Sequence, residues 1–119
     1  MTEQRAFPRI DVADGRIRVT QFGAPHDVHL IDISAGGFQL RGPTPFERHS
    51  KHSFVFQSAD RDFRVTLDAR AAYSRPVTPG PVSVDYVSGF LFVSAWHPNI
   101  FEQIEALLAH ARATAGGAR

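Results

Sequence analysis

From Ile17 onward the chain alternates apolar and polar positions in short runs, the pattern of strands with one buried face. Ile17 and Val19 begin the series, Phe38 and Leu40 continue it, and Phe54 and Phe56 repeat the spacing. The longest case sets Phe63, Val65, Leu67, Ala69 and Ala71 against Arg64, Thr66, Asp68 and Arg70, which predicts one long amphipathic strand. An apolar run over 28–33 enters a Ser-Ala-Gly-Gly turn, and a second strand leaves it at Phe38. Breakers fall between the runs at Asp14-Gly15, Gly23-Ala-Pro25, Gly42-Pro-Thr-Pro45, Ser58-Ala-Asp60 and through 76–81, the spacing of an antiparallel barrel of about six strands. The proline-rich stretch 76–81 reads as a mobile hairpin loop.

After Trp96 the period changes from two to that of a helix, expected over 97–113. Ile100, Phe101, Ile104, Leu107, Leu108 and Ala111 fall on one face, with Glu102, Gln103, Glu105 and His110 elsewhere. Pro98 supplies the φ angle of a first turn, the glutamates sit toward the positive end of the helix dipole, and Gly116-Gly117 stops the helix. Its apolar stripe is expected against the barrel. Trp96 and His97, at the entrance, read as core and cap residues. The organisation is therefore one domain over 1–115, with an arm over 1–10 and a short tail over 116–119.

Composition narrows the chemistry. The 119 residues suit a single core without staples. There is no cysteine, which excludes disulfides, thiolate catalysis and cysteine-ligated metals, and leaves cytoplasm as the default compartment. No segment has the apolar length to span a bilayer or the form of a leader, so no membrane insertion is expected. A net charge of +1 is too small for a general binder of long nucleic acid. Nearly all the basic residues are arginines, whose planar fork suits bidentate anion recognition.

Two arginines stand out by spacing. Arg5 and Arg9 lie four apart beside Pro8, which resists helix, so this segment reads as an irregular arm able to fold over a ligand. Asp32-Ile-Ser34-Ala-Gly36-Gly37 forms a hairpin tip. Its glycines can take positive φ and let a ligand approach the backbone, while Ser34 and the turn amides can donate to phosphate oxygens. The alternative is a turn in which Asp32 or Ser34 caps its own backbone. Taken together, the segments assemble guanidiniums, a carboxylate, a hydroxyl and glycine amides, a set suited to a phosphate-bearing guanine nucleotide.

Other chemistry has less support. His26 with His29, and His49 with His52, have a spacing that suits metal ligation on a helix, but both pairs lie in loop or strand. Ser34 lacks the nucleophile-elbow surroundings of a hydrolase, and no phosphate-loop or dinucleotide fingerprint is present.

In residue types and separation, Arg5-Ala-Phe-Pro-Arg9 and Asp32-Ile-Ser34-Ala-Gly-Gly37 resemble the RxxxR and [DN]xSxxG signature of PilZ domains, bacterial receptors for cyclic di-GMP. Gly89-Phe-Leu-Phe92 is similar to the family's closing strand, so the likeness covers roughly residues 3 to 112. The resemblance implies a PilZ-like, six-stranded antiparallel β-barrel with a C-terminal helix, without a cofactor and without enzymatic activity. It further implies that Arg5 and Arg9 contact phosphates and stack on guanine, that Asp32 meets guanine or an arginine, and that Ser34 and Gly37 line the base and phosphate side. Gly36 contributes its amide. Many members carry another arginine just before the first motif arginine; here Gln4 stands there, a weaker contact that lowers the odds of an intercalated ligand pair. The implied role is a receptor whose arm orders on ligand and meets an unidentified effector protein, in control of motility, biofilm matrix or virulence. The alternative is a PilZ-like adaptor acting by protein contacts alone. A monomer or weak dimer fits either.

Overall fold

The computed structural model describes residues 8–23, 28–78 and 85–116, with side chains as far as Arg112. Its strands are β1 (Ile10–Asp11), β2 (Ile17–Gln21), β3 (His29–Ile33), β4 (Gly37–Gly42), β5 (Lys51–Ser58), β6 (Arg64–Pro76) and β7 (Tyr86–Phe92), followed by α1 (Pro98–Gly116). All pair antiparallel in one curled sheet ordered β1-β3-β4-β7-β6-β5-β2. The sheet forms a half-barrel of seven strands rather than six. The extra strand is β1, whose two residues are too few to display an alternating pattern. The stretch 79–84, which includes the second half of the expected hairpin loop, lies outside the described residues.

Alternation decides which face is inside. Ile17, Val19, Phe38, Leu40, Phe54, Phe56, Leu67, Ala69, Ala71, Phe90 and Phe92 all face the core, whereas Phe63 and Val65, at the start of the long strand, are only partly buried. Phe38 is central: its ring centroid lies 5.1 to 5.4 Å from those of Phe54, Phe56, Phe90 and Phe92. Edge-to-face and offset contacts of this kind add to the area buried.

The concave side is covered by α1, which contacts β1 and β6 through Ile104, Leu107, Leu108 and Ala111. Its start is capped by His97: the Asn99 amide donates to Nδ1 at 3.2 Å and the Phe101 amide to the carbonyl at 2.8 Å. Two expectations fail at this end. Trp96 is 81% exposed, not core, and Phe101 is 52% exposed because it sits past the edge of the buried stripe. Glu102 and Glu105 lie in the N-terminal half of the helix, beyond its first turn. Among the described residues no helix is long and apolar enough to cross a membrane.

His52 links the β5 start to the core. Its ring stands 5.0 Å edge-on from Phe46, with Nδ1 3.2 Å from Gln21 Nε2 and Nε2 2.8 Å from Ser50 Oγ. An amide nitrogen only donates, so Nδ1 accepts and Nε2 carries the proton, an assignment that follows from the network. Burial pushes the His52 pKa below the ordinary imidazole value. The unfolded chain then binds the proton first: stability is full above the unfolded pKa, near 6.5, and is lost as pH falls through the lower folded one. Thermal melts are expected to show a fall in Tm from about pH 7.5 to about pH 5.5, smaller in His52→Gln. An identical pH slope in the variant would remove His52 as the cause.

Candidate functional site

The β3–β4 hairpin tip is built by its own side chain and by a neighbouring strand. Ser34 N donates to Gly37 O at 2.8 Å, and Ser34 Oγ accepts from Gly36 N at 3.2 Å while lying 3.4 Å from Gly37 O. The hydroxyl thus caps its own turn, and Ser34 is only 7% exposed. Gly36 O accepts from Phe92 N at 3.0 Å, tying the tip to the end of β7.

Positive φ is not what the glycines supply. Among the described residues the glycines with positive φ are Gly15 and Gly23, both in turns elsewhere. Gly37 is required by a close approach: a Cβ there would stand 1.9 Å from the Phe90 carbonyl oxygen.

Strand pairing brings the two motif halves together. In β1, Ile10 faces Ile33 and Asp11 faces Asp32, so Arg9 extends alongside the hairpin tip. Its Nη1 donates to Asp32 Oδ1 at 2.8 Å, with the two side chains 30% and 16% exposed. The end of the expected arm is therefore anchored: Ile10 belongs to β1, and Arg9 is ion-paired. Gln4 and Arg5 lie outside the described residues.

Asp32 uses its other oxygen on Gln39, whose Nε2 donates to Oδ2 at 2.9 Å. The Gln39 amide oxygen accepts in turn from the Tyr73 hydroxyl. These residues form a straight row across the sheet, because Asp32 pairs with Gln39, Gln39 with Gly89, and Gly89 with Tyr73. Gly89 makes room: a Cβ there would lie 2.3 Å from Tyr73 Cε2. The Tyr73 ring also carries the Arg75 guanidinium, with Cζ 5.1 Å from the centroid. Sequence reasoning missed Gln39, Tyr73 and Arg75. Irregularities at Ile31 and Ala72 set which residues share this face, and neither register shift is legible in the pattern.

Clefts elsewhere hold none of the motif residues: one lies near the start of α1 by Asp68 and His97, another between His29, Arg41 and Asp85. Of the histidine pairs, His26 lies outside the described residues and His29 Nε2 contacts Ala13 O at 2.9 Å. His49 sits in a loop at φ 75°, before the strand that carries His52.

Chemically, the outer face offers an arginine–carboxylate pair, a carboxylate oriented by an amide, and a guanidinium over a tyrosine ring at the far end of the row. The sequence model of the PilZ domain matches residues 3–109, and the chain belongs to that family. Among solved structures it is similar to the PilZ domain with c-di-GMP of YcgR from Escherichia coli, at 17% identity and a TM-score of 0.68, covering 98% of this chain and 100% of that one. It is also similar to the Bacillus subtilis inhibitor of motility MotI/DgrA, at 11% identity and a TM-score of 0.62, covering 99% of this chain and 55% of that one. At such identities these likenesses concern the fold. Among curated proteins no sequence matches this chain.

Proposed function

We propose that this PilZ domain is a receptor for cyclic di-GMP that passes the level of the messenger to a partner protein. The observation that supports it best is the 2.8 Å contact of Arg9 with Asp32, which joins the halves of the motif at one hairpin tip. In this reading Arg9 and Arg5 hold phosphates by bidentate donation and lie against a guanine, and Asp32 accepts from the guanine edge. The Gly36 and Gly37 backbone and Ser34 border the nucleotide, and Gln4 adds a weaker polar contact. Binding transfers Arg9 from Asp32 to the ligand and orders the arm; the entropy lost is offset by charge-assisted hydrogen bonds and stacking. The surface so created meets the effector, in a pathway such as motility. The reading involves no bond making or breaking.

Calorimetric titration with cyclic di-GMP tests this. Arg9→Ala is expected to weaken binding by about 1.5 to 3 kcal/mol, roughly 10- to 150-fold, and Arg5→Ala/Arg9→Ala to abolish it. Unchanged affinity in Arg9→Ala would take the arm out of the mechanism. A second reading, an adaptor acting through protein contacts without nucleotide, is favoured by the Ser34 hydroxyl, which its own turn already occupies. Absence of binding by calorimetry and by a second method would select it.

A further inference from the structure

We infer that the ligand surface does not end at the hairpin but runs along the sheet row to Tyr73 and Arg75, with Arg75 as a nucleotide-contacting cation beyond Arg5 and Arg9. The inference rests on the cyclic di-GMP reading above. Three observations carry it. The row Asp32–Gln39–Gly89–Tyr73 is continuous in register across β3, β4, β7 and β6, so both ends share one face. Its length is three strand spacings, about 14 Å, which exceeds what one guanine needs. Arg75 is exposed, makes no ion pair among the described residues, and lies over the Tyr73 ring.

A guanidinium placed over an aromatic ring is attracted to the ring face and stays charged, so its N–H edge is available to a purine or a phosphate. A cyclic dinucleotide has two bases. With one guanine at Asp32, the second base and its phosphate are directed along the row toward Arg75. Gln39 and Tyr73 act as positioning residues: Tyr73 donates to Gln39, Gln39 donates to Asp32, and the Tyr73 ring, seated on Gly89, carries Arg75. This end of the site supplies a further arginine from β6, where Gln4 provides none from the arm.

Two ligands separate this inference from a structural role and from the reading beneath it. Cyclic di-GMP and GMP are titrated into the wild-type chain, Arg9→Ala, Arg75→Ala and Arg75→Lys, with thermal melts of each. GMP has one base and, anchored at Asp32, leaves nothing for Arg75 to hold. Arg75→Ala is expected to weaken cyclic di-GMP at least 10-fold and GMP by less than 2-fold, with an unchanged melt. Arg75→Lys is expected to recover only part of the loss, because an ammonium keeps the charge but does not stack. Equal loss for both ligands, or full affinity for cyclic di-GMP in Arg75→Ala while Arg9→Ala loses it, would overturn the extension and leave the receptor reading standing. No binding of cyclic di-GMP to the wild-type chain would overturn both.

Discussion

Replacing Gly37 with alanine is expected to cost more than about 3 kcal/mol, at or beyond the upper end of ordinary overpacking. The added Cβ would lie 1.9 Å from the Phe90 carbonyl oxygen and 3.2 Å from Leu91 Cα, both backbone atoms in the paired strand. No rotamer relieves a clash between two main chains, so β4 and β7 would have to separate where Gly37 faces Leu91. That pairing holds the centre of the sheet, and typical domains have only about 5 to 15 kcal/mol to lose. Urea unfolding of the variant checks it; a loss below about 1 kcal/mol would mean that the strands are not in this contact. The glycine of the hairpin motif is thus demanded by packing, whatever the ligand. Loss of nucleotide binding in a Gly37 variant would report unfolding before it reported a lost contact, whereas Arg9→Ala probes the ligand.

Phe38→Ala is expected to destabilise by about 3 to 5 kcal/mol, through lost transfer free energy and the cavity left among Phe54, Phe56, Phe90 and Phe92. Phe38 is 1% exposed and touches strands on both sides of the sheet's centre, so few neighbours can collapse into the space. Phe101→Ala removes the same ring from a position that is 52% exposed, and is expected to cost less than about 1 kcal/mol. Chemical denaturation of the two variants in parallel checks both values. Equal losses would show that Phe101 packs as the helical period suggests rather than lying outside the stripe.

The two phenylalanines mark where periodicity is informative. Away from the two register shifts, side chains along the strands alternate between faces, so Phe38, Leu40, Phe54 and Phe56 could be assigned inward without knowing what they meet. On the helix, the apolar positions span a wider arc than the sheet can cover, and only packing against β1 and β6 decides that Ile104 and Leu108 are buried while Phe101 is not. Trp96 shows the same limit more sharply. Its apolar bulk suggested core, yet it lies in the connection before the His97 cap, where no element covers it. The two-residue β1 gave no periodic signal, though it sets Arg9 beside Asp32.

By itself the sequence determined the run of antiparallel strands, the closing helix and its His97 cap, and the motif residues Arg9, Asp32, Ser34, Gly36 and Gly37 that mark the family. Local pattern suffices there, because backbone period and turn chemistry are properties of neighbouring residues. The tertiary structure decided that Ser34 closes its own turn, that Gly37 answers to the Phe90 carbonyl, and that Asp32 is held between Arg9 and Gln39 with Tyr73 behind. Those partners lie on four different strands, and two register shifts set which of them share a face. Such a row exists only once the sheet is assembled.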